Sequence, residues 1–159
     1  MQLIDVSRAH FYAPAVRDVY VQLPEGDPRH GEKGICGKLL RTMYGTLDAA
    51  EQWAIHYAKV LVAAGFRQGA SNPCHFWHPE RDIWVLVHGD DFLSTACLED
   101  QDWLRDTLMK TYELKCERAG LAEGMPRELR VLGRILAFSE EGVSMEPDPQ
   151  HLDVVASAL

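Results

Sequence analysis

The apolar positions of this chain fall into short runs of two distinct periods. Gln2 to Val6 alternates and ends in Asp5-Val6, which predicts a short strand. Val19 to Leu23 reads Val-Tyr-Val-Gln-Leu and predicts another, closed by the loop Pro24-Glu25-Gly26-Asp27-Pro28. Ile35 to Leu40 is a further strand candidate. Between Asp48 and Ala64 the period changes. Trp53, Tyr57, Val60, Leu61 and Ala64 recur at helical spacing, Asp48 and Glu51 form a capping-box pattern, and Gly65 is a stop. Cys74 to Trp77 and Ile83 to Val87 are predicted as strands joined by Pro79-Glu80-Arg81-Asp82, and Phe92 to Ala96 as the next. Leu98 to Thr111 is a second helix, with Leu104, Leu108 and Tyr112 inward. Weaker strands are predicted at Tyr112 to Cys116, Val131 to Phe138 and Val143 to Met145, and a helix at Gln150 to Leu159. Runs of strands broken by two main helices predict an α+β fold. An antiparallel sheet on two helices suits a split βαβ, ferredoxin-like arrangement.

With 159 residues, 47% hydrophobic and 25% charged, the chain is long enough for one domain with its own core. No run of 18 or more apolar residues is present, so no membrane span is expected. The N-terminus lacks the basic and apolar regions of a signal peptide. Cys36, Cys74, Cys97 and Cys116 have no CxxC spacing, which points to free thiols and an intracellular, reducing setting. The net charge of -8 argues against a general phosphate-binding surface. It leaves open a site that binds phosphate through metal ions, where carboxylates are required.

Candidate chemistry concentrates at "VLVHGDDFLSTA", residues 85–96. Two adjacent carboxylates, Asp90 and Asp91, sit between two core-seeking segments, and Gly89 supplies the positive φ of a tight turn. Taken alone, the stretch reads more readily as a solvated hairpin loop than as a site. Two carboxylates this close repel, and a divalent cation relieves the repulsion. Mg²⁺ is held by one or two carboxylates together with waters and substrate phosphates. Asp5, ending a separate apolar strand, would complete a set of three. Such a set is what two-metal phosphoryl transfer requires.

Five segments in order, "IDVSRAHFYA" (4–13), "LLRTMYGTLDAAEQW" (39–53), "VLVHGDDFLSTA" (85–96), "YELK" (112–115) and "VLGRIL" (131–136), together resemble the reverse transcriptase of copia-type LTR retrotransposon Pol polyproteins. "VYVQLP" at 19–24 extends the likeness over nearly the whole chain. The resemblance implies a polymerase palm over residues 1–146 and the start of a connection or thumb helix over 147–159. It implies catalytic Asp5, Asp90 and Asp91, with the carbonyl of Val6 beside the metals. It implies nucleotide or template contacts from His10, Tyr44, Gly45 and Lys115, and a primer grip at Leu132-Gly133. Two Mg²⁺ ions, with Mn²⁺ as a substitute, are the implied cofactors. A template-primer of RNA or DNA, dNTPs and the remaining polyprotein domains (fingers, RNase H, integrase) are the implied partners. The implied setting is a cytoplasmic virus-like particle or the nucleus.

The sequence departs from the family pattern at several points. His88-Gly89 stand where Tyr-Val usually precedes the acid pair, and Leu47, Ala50 and Glu51 replace a lysine, a proline and an arginine. His10 is smaller and more polar than the aromatic usual at its position. The fingers, with their triphosphate-holding basic residues, are expected upstream of this chain. The alternative is a catalytically inactive relic of a retroelement, acting at most as a folded binding domain.

Other residues admit a plainer account. Cys74-His75-x-x-His78 has zinc-like spacing, yet a strand would turn the two histidines to opposite faces. Trp53, Tyr57, Trp77, Trp84 and Trp103 fall in periodic segments and read as core in preference to base-stacking platforms. Arg8, Arg17, Lys38 and Arg41 read as phosphate contacts or as solvated surface charge. Lys115 reads as a general acid or as an exposed strand lysine.

Overall fold

The computed structural model describes residues 1–147. The helix expected at Gln150 to Leu159 lies outside the described residues. So does the expected thumb segment at 147–159, except for Pro147, which ends a strand.

The main sheet is built from β1 (Gln2–Val6), β4 (Arg67–Gln68), β5 (His75–His78), β6 (Ile83–His88), β7 (Asp91–Thr95) and β8 (Leu114–Arg118). Its strand order is β4-β5-β6-β7-β1-β8, and every neighbouring pair is antiparallel. The first strand is thus inserted between two strands made some ninety and more residues later. Alternation is clean where one face is covered: Gln2, Ile4 and Val6 are buried, while Leu3 and Asp5 look the other way.

Two helices cover that buried face. Helix α1 (Ala49–Ala63) buries Trp53, Tyr57 and Leu61, one turn apart, and α2 (Leu98–Met109) buries Gln101, Leu104 and Leu108. They pack with Ile4, Val6, Phe76, Val85, Val87 and Phe92 into one core. Each large apolar side chain fully buried there contributes about 1.5–3 kcal/mol. The end of α1 is a Schellman motif: the Phe66 N–H donates to the Leu61 carbonyl at 3.1 Å and the Gly65 N–H to the Val62 carbonyl at 3.0 Å. Gly65 has φ +101°, and a Cβ there would lie 2.8 Å from Nε2 of His78. The start of α1 corrects the expected capping box. Asp48 makes no side-chain cap bond and gives its carboxylate to Arg17, at 2.8 and 3.2 Å.

A second sheet lies on the opposite face, formed by β9 (Glu128–Val131), β10 (Arg134–Ser139) and β11 (Gly142–Pro147) in the order β11-β10-β9. Its Leu129, Val131, Leu136 and Phe138 cluster with Ala119 and with Leu3 and Leu93 of the main sheet. The single strand expected at Val131 to Phe138 is in fact a hairpin. Leu132 (φ +51°) and Gly133 (φ +70°) make a two-residue turn with both central φ angles positive, the I′ pattern. An unbroken apolar run concealed it. The strands expected at 19–23 and 35–40 shrink to β2 (Tyr20–Val21) and β3 (Gly37–Lys38), which pair through two positions only. Strand β4 was not legible, being two polar residues long.

Candidate active site

The register of three strands decides what the acids meet. Asp5 is the Cα partner of Asp91 on β7 and of Lys115 on β8, and Asp91 is in turn the partner of His88 on β6. Lys115, Asp5, Asp91 and His88 therefore form one row across the sheet face that the helices leave free. Directly opposed residues in such a row have Cβ atoms about 4.5–5.5 Å apart. Asp90 occupies the hairpin turn beside this row, and its carbonyl accepts the Val6 N–H at 3.0 Å. Gly89 takes φ +63°, as the first loop position of a II′ hairpin requires.

Electrostatics report the same convergence. The Asp91 carboxyl is held above the usual range by burial first, then by the charges of Asp90 and Asp5, with His88 opposing. The Tyr44 hydroxyl is also held up, by burial, then Asp90, against a backbone hydrogen bond at Ala9, with Asp5 adding to the rise. Tyr44 is thus within the field of the acids. Its ring meets His10 edge-on at 4.4 Å and Phe11 at 6.1 Å. His10 lies in a short 3₁₀ turn, Ala9–Tyr12, which follows β1, and its carbonyl accepts the Thr42 hydroxyl. Gly45, next to Tyr44, has φ +86°. The structure therefore brings His10 and Tyr44 to one side of the carboxylates. Lys115 is exposed on the other flank. The Leu132-Gly133 turn tips the second sheet, whose core contacts are to Leu3 and Leu93, residues of the same sheet face as Asp5 and Asp91.

Donor chemistry bears on which ion this set suits. The acids offer hard oxygen ligands, and burial, then the charges of Asp90 and Asp5, raises Asp91. Among the described residues, however, no group of three or more His, Cys, Asp or Glu side chains stands ready to enclose a metal. The set does not fit a closed cage of three side chains; a Mg²⁺ ion needs only one or two carboxylates, with waters and phosphate completing its shell.

Several readings change. Arg8 pairs with Glu113, Arg17 with Asp48 and Lys38 with Asp18, and Arg41 donates to the Tyr12 carbonyl at 2.8 Å. All four cations that were phosphate candidates have partners within the chain. Trp77 and Trp84 are not core: they stack on each other at 5.7 Å on the outer sheet face, with Trp84 54% exposed. The indoles share Asp82 as acceptor, at 3.2 Å each. His75 is exposed and His78 buried, on opposite faces as a strand demands. Reasoning from sequence also missed a contact made by Trp53. Its indole N–H donates to the Gly89 carbonyl at 2.7 Å, at the head of the acid turn. Helical period marks Trp53 as inward, and nothing local says which carbonyl it meets.

The chain has distant similarity to a retroelement Pol polyprotein. Over 121 residues it is 24% identical to the retrovirus-related Pol polyprotein from transposon TNT 1-94 of Nicotiana tabacum. The match takes in 72% of this chain and 9% of the length of that relative. No family model matches the chain. No solved structure matches it.

Proposed function

We propose that this chain is the palm of an RNA-directed DNA polymerase from a copia-type retrotransposon Pol polyprotein. The observation that carries this reading is the register seating Asp5 opposite Asp91, with Asp90 in the adjoining turn. The chain order β1-α1-β6-β7-α2-β8, with the acids on the face away from the helices, agrees with a split βαβ palm.

In this reading Asp5 and Asp90, with the Val6 carbonyl, would hold two Mg²⁺ ions, or Mn²⁺, which would supply charge stabilisation for a phosphoryl transfer. Asp91 supplies further negative potential and shares the turn that presents Asp90. The edge-to-face pair of His10 and Tyr44 walls the site on the side where the sugar of an incoming dNTP is placed, and Gly45 lets that wall turn into α1. Lys115, across from Asp5, is placed to give a proton from Nζ to departing pyrophosphate. The Leu132-Gly133 turn holds the primer end. Template-primer and the fingers, RNase H and integrase parts of a longer polyprotein are the partners, in a virus-like particle or the nucleus.

Primer extension on poly(rA)·oligo(dT) tests this, using a Pol segment that contains the chain and either Mg²⁺ or Mn²⁺. The double substitution Asp90→Asn/Asp91→Asn is expected to lower incorporation by about a hundredfold or more. Equal incorporation by both forms rejects catalysis and leaves a folded, non-catalytic relic.

A further inference from the structure

The turn that carries Asp90 is held from two directions by residues far apart in sequence. Asp90 lies between two peptide planes. The peptide on its C-terminal side is fixed by its own carbonyl, which accepts the Val6 N–H from β1 at 3.0 Å. The peptide on its N-terminal side is fixed by the Gly89 carbonyl, which accepts the Trp53 indole N–H from α1 at 2.7 Å. With both planes held, the backbone at Asp90 has little freedom left, and the Cα–Cβ direction follows. Gly89 needs such support. A Cβ there would meet nothing within 4 Å, so no packing restrains the glycine, which is the most permissive residue of the chain.

Trp53 is suited to the task by its own confinement. It is 2% exposed. Its ring meets Tyr112 at 5.3 Å, Tyr57 at 5.5 Å and Phe92 at 6.3 Å, all edge-on. A flat ring wedged among three others cannot swing away without disturbing the core. Tryptophan has one side-chain donor, and here it is given to the Gly89 carbonyl.

We propose that Trp53 is a positioning residue of the acid centre: its indole N–H fixes the Gly89-Asp90 peptide and thereby aims the Asp90 carboxylate. This rests on the reading of Asp5, Asp90 and Asp91 as the cation-holding set. Residues one step removed from a metal ligand typically alter metal affinity 10–100-fold when replaced, about the size of effect expected here.

The test uses Trp53→Phe, which keeps an aromatic ring and deletes the donor. Leu104→Ala, in the same core but on α2, is the control for lost stability. Mn²⁺ binding followed by electron paramagnetic resonance is expected to weaken about tenfold or more in Trp53→Phe and to stay unchanged in Leu104→Ala. Hydrogen exchange of the Val6 amide, measured without metal, is expected to accelerate in Trp53→Phe beyond its acceleration in Leu104→Ala. Unchanged Mn²⁺ affinity together with Val6 exchange no faster than in the control overturns the proposal. If the unsubstituted chain binds no Mn²⁺ that Asp90→Asn abolishes, the cation reading falls, while the Val6 exchange still decides whether Trp53 holds the turn. Should Trp53→Phe not fold, the Trp53 indole proton of the unsubstituted chain is followed by NMR. Protection of that proton matching the Val6 amide supports the proposal, and free exchange overturns it.

Discussion

At the scale of single residues, the acid centre is a balance between repulsion and position. Asp91 faces Asp5 across the strand pair and neighbours Asp90, so ionising it in the folded chain opposes two charges in a partly buried place. Its carboxyl holds a proton more tightly folded than unfolded. The folded state is therefore favoured below the ordinary carboxylate range. That advantage is lost as pH rises from the ordinary value through the raised one, leaving a net penalty at neutral pH without cations. Asp91→Asn removes the penalty. It is expected to raise the melting temperature of the metal-free protein at pH 7 by up to about 3 °C, and the gain should fade on acidification below the ordinary carboxylate range. Calorimetric scans at both pH values check this; a lowered melting temperature at pH 7 would refute the strained-acid account. The pair Asp90-Asp91 was legible as a turn from Gly89 alone. The indole contact of Trp53 was not, because a helical period tells only that a side chain points inward.

At the scale of elements, glycines at positive φ differ by what surrounds them. Gly65 (φ +101°) closes the Schellman motif of α1 and has no room for a Cβ beside His78, whereas Gly89 (φ +63°) opens the acid turn into free space. Gly65→Ala should thus cost about 2–3 kcal/mol, combining strain and a clash, and Gly89→Ala about 1–2 kcal/mol, from the backbone alone. Urea denaturation of both variants gives the comparison, and equal costs would contradict it. Both glycines were legible as stops or turns. Leu132-Gly133 stands out by motif resemblance, yet the surrounding apolar run predicts one strand. Leucine at positive φ gives no local signal, so the hairpin emerges only from the pairing of Arg134 with Val131.

At the scale of the molecule, stability is unevenly spread. The main core joins five strands to two helices, whereas the second sheet holds on through a small cluster centred on Ala119, Leu129 and Val131. Every residue of β11 is exposed. Native-state hydrogen exchange should therefore find β10–β11 amides opening well below the global unfolding energy, and β1 and β7 amides near it. Protection of β11 equal to that of β1 would show the two sheets to be one cooperative unit. The sequence by itself determined the periods of α1, α2 and the long strands, the stop at Gly65 and the presence of an acid turn, since each depends on neighbours within a few residues. Only the tertiary structure decided that β1 enters the sheet between β7 and β8. That insertion sets Asp5 against Asp91 and Lys115, while the packing of the helices on one face leaves Trp77 and Trp84 outward and brings Trp53 beneath the turn. Pairings between residues 5 and 91 depend on which strand edges close together after the helices have covered one face, and no local pattern encodes that choice.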